Sequence, residues 1–262
     1  SIGYGAAALS ALAGGGLGLI DVRWAFVASL VMAFVQLAIT TQLREPPVTD
    51  HAESFVRQLQ TCVRYLGERY LGWIFFYGIV MVTLEHVAFT LMQPWLTLVL
   101  DRTADDLGTT PLLAGVVYAA TATVGSSAAR FSATVAEKIG LVATLIGLAA
   151  LSAVIVTGMA LWVHVVLLAL VAFRSVQGAA APVLISDAVA SRTKRQHRAT
   201  LLSINSLAGR AGYGLVLLFV AAGAEDDVER VLGILSVISW ALVALLIVTA
   251  LWATRGRGAV TP

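Results

Sequence analysis

Long apolar stretches separated by short polar breaks run the length of the chain. A helix needs about 20 apolar residues to cross a bilayer. On that rule the pattern predicts an all-α polytopic bundle of eight transmembrane helices, at 4–20, 24–43, 73–100, 111–135, 139–158, 162–187, 199–223 and 231–253. The stretch 139–173 is nearly unbroken. As one helix it would run about 52 Å, against a hydrocarbon core of about 30 Å. Two spans with a tight turn near 157–162 are expected instead.

The connection between the second and third spans has a pattern of its own. Pro46-Pro47 ends the second span. Asp50 and Glu53 have the spacing of a capping box. Phe55, Leu59, Cys62, Val63, Leu66 and Tyr70 then recur at helical spacing, with Arg57 and Arg64 on other faces. Two readings stand side by side: an amphipathic helix on the membrane surface, or a short helix packed on neighbouring loops.

Composition agrees with a membrane protein. Of 262 residues, 59% are hydrophobic and 12% charged, and mean hydropathy is +0.88. Soluble domains carry roughly 25% charged residues. Disorder is excluded, because it needs low hydrophobicity and high charge. A net charge of +2 gives no field for nucleic acid. The single cysteine, Cys62, excludes a disulfide framework and a cysteine zinc site.

The basic residues give an orientation. If the first span ends outside, the external connections hold Arg23, Arg102 and Arg230. The cytoplasmic side then holds Arg44, Arg57, Arg64, Arg69, Arg130, Lys138, Arg192, Lys194, Arg195, Arg198, Arg255 and Arg257. The linker and the C-terminus are expected in the cytoplasm of a multi-pass plasma-membrane protein. Trp24, Trp73, Trp95, Trp162 and Trp252 fall near span ends, where interfacial belts lie; Trp240 does not. The acidic outer loops, Asp101/Asp105/Asp106 and Glu225/Asp226/Asp227/Glu229, lack the spaced ligands of a calcium loop. No metal and no cofactor is expected.

Three local patterns carry a resemblance. The sequence Ala133-Thr134-Val135-Ala136-Glu137-Lys138-Ile139-Gly140 is a weakened form of G-x-L-A-D-R-x-G, with Ala for Gly, Glu for Asp and Lys for Arg. A basic loop, Arg195-Gln196-His197-Arg198, precedes Ala199-Thr200 and the serines Ser203 and Ser206. Two spans, a linker helix and six further spans complete the order. The chain resembles the major facilitator superfamily over essentially its whole length.

That resemblance implies helices five to twelve of two six-helix halves, with the first four lacking. Residues 1–45 would be the last two helices of the N-terminal half, 46–72 the cytoplasmic linker and 73–262 the C-terminal half. The chain starts at Ser1 and directly enters apolar, glycine-rich sequence, which reads as the interior of something longer. A chain without those four helices lacks one cavity wall and is not expected to transport alone. Ser10-Ala11-Leu12-Ala13-Gly14-Gly15 departs from the G-P-x-x-G-G pattern of the family's drug–proton antiporters: the paired glycines remain and Gly-Pro is lost.

Ionisable groups at mid-membrane are costly and usually functional. Glu85 and Arg174 each fall about thirteen residues into their spans, which run in opposite directions, so both reach a similar depth. The resemblance places them on the seventh and tenth helices, which line the family's central cavity. Helical spacing adds Tyr77, Gly78, Met81, Phe89, Met92 and Gln93 to the first, and Gln177, Gly178 and Ala181 to the second. Pro94 and Pro182 can bend these helices. Glu85 is either a proton-coupling carboxyl or one half of a static pair with Arg174. Ala133, Glu137, Lys138 and Gly140 form the candidate conformational motif.

His86 is expected at a helix interface, Asn205 and Ser206 as interhelical hydrogen bonders, and Arg210 near the cytoplasmic side or paired with Asp187. The resemblance implies secondary transport of a small, amphiphilic organic solute by alternating access, with efflux coupled to protons as the leading expectation. An uptake symporter, an ATPase-driven permease subunit and a transport-incompetent fragment are the alternatives. Expected partners are the solute, the coupling proton and the lipid bilayer. No clustered nucleophile, H-E-x-x-H or Walker A sequence points to an enzyme or a fused ATPase.

Overall fold

The computed structural model describes residues 2–43, 54–103, 110–221 and 227–255. Pro46-Pro47, the Asp50/Glu53 capping pattern, Asp105, Asp106, Glu225 and Asp226 lie outside these residues. Ten helices follow in order: α1 (Ile2–Ile20), α2 (Val22–Thr40), α3 (Phe55–Leu66), α4 (Arg69–Thr103), α5 (Thr110–Ile139), α6 (Leu141–Leu161), α7 (Leu167–Val171), α8 (Ser175–Ala190), α9 (Arg195–Ala221) and α10 (Val228–Thr254). A 3₁₀ turn, Ala172–Arg174, joins α7 to α8. Among the described residues there is no strand.

Polar residues set several boundaries. The Asp21 carboxylate accepts from the Arg23 N–H at 2.9 Å and caps α2. Asp227 accepts from the Glu229 and Arg230 N–H groups and caps α10. Such caps satisfy donors with no partner inside the helix. Gly140 has φ +90°, which a side chain rarely adopts, and turns the chain between α5 and α6.

Among the described residues six stretches are long and apolar enough to cross a membrane: Val22–Thr40, Arg69–Arg102, Leu141–Leu161, Leu167–Ala190, Arg195–Leu218 and Val228–Thr254. The other two expected spans are helical but fall outside that set. The apolar part of α1, Gly5–Ile20, is shorter. Helix α5 is rich in Ala, Thr and Ser, which lowers its hydropathy.

The break inside the long apolar stretch is real but comes later than expected. Helix α6 continues to Leu161, and the next helix starts at Leu167 rather than at 162. Trp162 stacks on His164 at 5.3 Å, and the His164 ring accepts from the Val166 N–H at 3.2 Å. A ring that satisfies a backbone donor locally stabilises this turn.

Helix α4 packs against α6, α8, α9 and α10, and α6 pairs with α10. Their shared core includes Tyr77, Leu84, Leu145, Ala181 and Leu246. Small residues permit the closest approaches. Gly209 faces Val82 and Gly78 faces Asn205 across α4 and α9. Gly115 of α5 lies against the Ala11 carbonyl and Gly15 of α1, which gives Gly15 a packing reason. Helix α2 packs on α1 and buries none of its residues.

The tryptophan belt needs correction. Trp73 and Trp95 are buried, and their indole N–H groups donate to the carbonyls of Leu246 and Met159 at 3.2 and 3.1 Å. Trp24, Trp162 and Trp252 are exposed. Mid-span Trp240 is exposed and donates to the Thr157 hydroxyl at 3.0 Å, so its polar edge is satisfied by a neighbouring helix.

Helix α3 lies across the start of α9. Gln58 donates to the Gln196 carbonyl and the Thr200 hydroxyl, and the Tyr65 and His197 rings are 5.8 Å apart. The linker helix is therefore packed on the bundle along one face. The opposite apolar ridge, with Val56 and Val63, remains exposed.

Candidate functional site

Helices α4 and α8 cross with Glu85 against Gly178. The absence of a side chain at Gly178 makes room for the Glu85 carboxyl. A Cβ there would lie 2.5 Å from the carboxyl carbon. Glu85 and Arg174 interact electrostatically. They make no direct ion pair: among the described residues that contact is made by Arg102 and Glu229, exposed, at 2.5 Å. The direct pair, one of the two readings of Glu85, is not formed here.

Arg174 is held by rings instead. Its guanidinium carbon lies 5.3 Å from the Phe89 centroid and 5.9 Å from the Tyr118 centroid. The two rings meet edge-on at 6.3 Å. Both distances are within the roughly 6 Å range where a cation is attracted to a ring face. The Arg174 Nε is buried without a hydrogen-bond partner. Its neighbour Ser175 donates to the Thr121 carbonyl of α5, which fixes the start of α8. Three helices thus converge on Arg174: α4 by Phe89, α5 by Tyr118, and α8 through its own start.

The other expected site residues divide into two groups. Phe89 and Gln93 are exposed on α4. Tyr77, Met81 and Gln177 are buried. Gln177 donates to the Tyr77 hydroxyl at 3.4 Å and accepts from Ser152 at 2.5 Å. This buried polar chain ties α4, α8 and α6 together below Glu85. Met92 and Ala181 are likewise buried in the core. Pro94 and Pro182 sit inside α4 and α8 as expected.

The His86 Nδ1–H donates to the Val82 carbonyl, 2.9 Å away, and its ring lies 5.3 Å from Tyr213. The Tyr213 hydroxyl meets the Thr90 hydroxyl at 2.5 Å. His86 is thus at the α4–α9 interface. Asn205 donates to the Phe75 carbonyl at 2.7 Å, an interhelical bond as expected; Ser206 makes no comparable bond. Arg210 and Asp187 are both exposed and form no ion pair with each other.

In the α5–α6 motif, Ala133, Glu137, Lys138 and Gly140 are exposed. The retained glycine has a backbone reason in its positive φ. The Gly140 carbonyl accepts from both the Thr144 N–H and the Thr144 hydroxyl, starting α6. Among the described residues no group of three metal-ligating side chains occurs.

Tyr118 was not singled out by spacing from Glu85 or Arg174, because it lies on a third helix. Its signal was present: an isolated hydroxylated ring in an otherwise small and aliphatic part of its span.

A family model described as the Major Facilitator Superfamily matches residues 1–217. The chain belongs to that superfamily. It is therefore a membrane transport protein of a family that moves solutes, and the resemblance read from the linker and the basic loops is established. No curated protein and no solved structure matches the chain.

Proposed function

We propose secondary active transport of a small amphiphilic organic solute by alternating access, as proton-coupled efflux. One observation carries the reading: Glu85 sits on Gly178, one turn from Arg174, and Arg174 lies over Phe89, one turn from Glu85, without a direct ion pair between the two charges. A carboxyl seated on Gly178 is positioned to take up and release a proton. Arg174, between two rings and with its buried Nε unpartnered, is suited to a solute bearing a ring and an anionic or polar head that reaches the guanidinium when the cavity opens. Phe89 and Gln93 are its exposed neighbours. Tyr77, Met81 and Gln177 act by positioning, because they are buried.

Ala133, Glu137, Lys138 and Gly140 set the turn about which α5 and α6 reorganise. In this reading residues 1–45 end the N-terminal half, 46–72 link the halves, and 73–262 form the C-terminal half. The protein lies in the plasma membrane with the linker and C-terminus inside, in keeping with twelve basic residues on that side against three on the other. Uptake symport is the second reading, favoured by Ser10-Ala11 where antiporters carry Gly-Pro.

Extrusion or accumulation of a labelled amphiphile, with and without a proton gradient, separates the two. In the complete protein, Glu85→Gln is expected to remove the pH dependence and Arg174→Gln to weaken solute binding. If neither variant alters transport, the site is wrong.

A further inference from the structure

A second cluster of charge lies away from Glu85 and Arg174. Helix α3 and the turn between α8 and α9 enclose an open groove of about 430 Å³, lined by Arg57, Gln60, Thr61, Arg64, Tyr65, Lys194 and His197. Arg57, Arg64 and Lys194 are exposed. Among the described residues no carboxylate lines the groove. Three cations therefore face one space together with the Gln60 amide and the Thr61 hydroxyl. Arginine forks and a lysine ammonium suit the oxygens of a phosphate.

The surroundings of the groove also suit a membrane surface. The same end of the bundle carries Arg192 over the Tyr70 ring at 4.5 Å and Arg69 over the Trp252 ring at 5.1 Å. Cations and amphipathic rings at helix ends mark the membrane–water interface. On α3 the exposed apolar residues Val56, Leu59 and Val63 run beside the basic ones. A ligand with a phosphate head and apolar chains fits both features, whereas a free phosphate would use only the first.

The geometry points to a binding site for the phosphate headgroup of an anionic phospholipid, seated between α3 and the α8–α9 turn. Its acyl chains follow the Val56/Leu59/Val63 ridge. Because α3 is also bonded to α9 through Gln58, an occupied groove braces the linker against the bundle. The site stands independently of the solute or its coupling.

The test is native mass spectrometry of the purified full chain in detergent with phosphatidylglycerol or phosphatidylcholine. One variant combines Arg57→Gln, Arg64→Gln and Lys194→Gln. A control of equal charge change combines Arg23→Gln, Arg130→Gln and Arg230→Gln, all exposed and none lining the groove. Phosphatidylglycerol adducts should exceed phosphatidylcholine adducts, fall at least tenfold in the groove variant, and survive in the control. They should also weaken with rising salt in the unmodified protein, a measurement that needs no variant. Equal retention of both lipids, salt-insensitive binding, or an equal loss in the control overturns the proposal. Full displacement of the lipid by millimolar inorganic phosphate also overturns it, because the ligand would then be a soluble phosphate.

Discussion

Replacing Gly178 by Ala tests the proposed coupling site with one methyl group. The added Cβ would fall 2.5 Å from the Glu85 carboxyl carbon and 2.9 Å from one carboxyl oxygen. Real Cβ atoms do not tolerate such contacts, so the flexible end of Glu85 must move. Overpacking of this kind costs about 1–3 kcal/mol. At about 1.4 kcal/mol per tenfold, the present position of the carboxyl loses roughly 5- to 150-fold in occupancy. The fold loses less, because Ala favours helix over Gly by about 1 kcal/mol. The assay is proton-driven transport in vesicles from cells expressing the coding sequence, with thermal unfolding measured in parallel. Gly178→Ala should lower transport at least fivefold while the unfolding temperature stays within a few degrees. Gly214→Ala supplies the control, since nothing lies within 4 Å of its added methyl. Unchanged transport in Gly178→Ala, or an equal loss in Gly214→Ala, refutes the reasoning.

Other substitutions probe the frame around the site. Asn205→Ala removes a 2.7 Å bond to the Phe75 carbonyl; interhelical bonds of this kind are worth about 0.6 kcal/mol and at most about 1.7, so a measurable but modest drop in unfolding temperature is expected. Gly140→Ala forces a side chain into φ +90°, costing about 1–3 kcal/mol, and should lower thermal stability more than Asn205→Ala. Cys62 is fully buried, and burial pushes its thiol above the ordinary range. Less thiolate is present at any given pH, so maleimide should label the folded chain poorly near pH 8 and readily after denaturation; rapid native labelling would contradict the packing of α3 on α9. Phe89→Leu should weaken binding of an amphiphilic solute by removing one ring from Arg174, an effect of about 0.5–2 kcal/mol, and Arg174→Gln should make that change silent.

Much of the helix pattern was legible because burial in lipid demands long apolar runs, and those runs are plain in α4, α6 and α10. Gly140 was legible as a retained motif residue, and the backbone supplied its reason. Trp73 and Trp95 were misread because an interfacial tryptophan and a buried one have the same sequence position near a span end. Only the carbonyls of Leu246 and Met159, more than sixty residues away in each case, distinguish them. Tyr77, Met81 and Gln177 share a helical face with the candidate site. Whether that face opens on a cavity or meets another helix depends on the neighbour, and here the neighbour closes it.

Hydropathy and charge placement determined by themselves that this chain is a bundle of membrane helices, because the cost of exposing backbone or charge to lipid acts on each segment separately. They also singled out Glu85 and Arg174 as charges within long apolar stretches. Tertiary structure decided what those charges touch. The seat of Glu85 depends on a missing side chain at Gly178, and the rings around Arg174 come from two other helices. Contacts between helices depend on which faces meet and how closely, and periodicity within one segment carries no information about its partner.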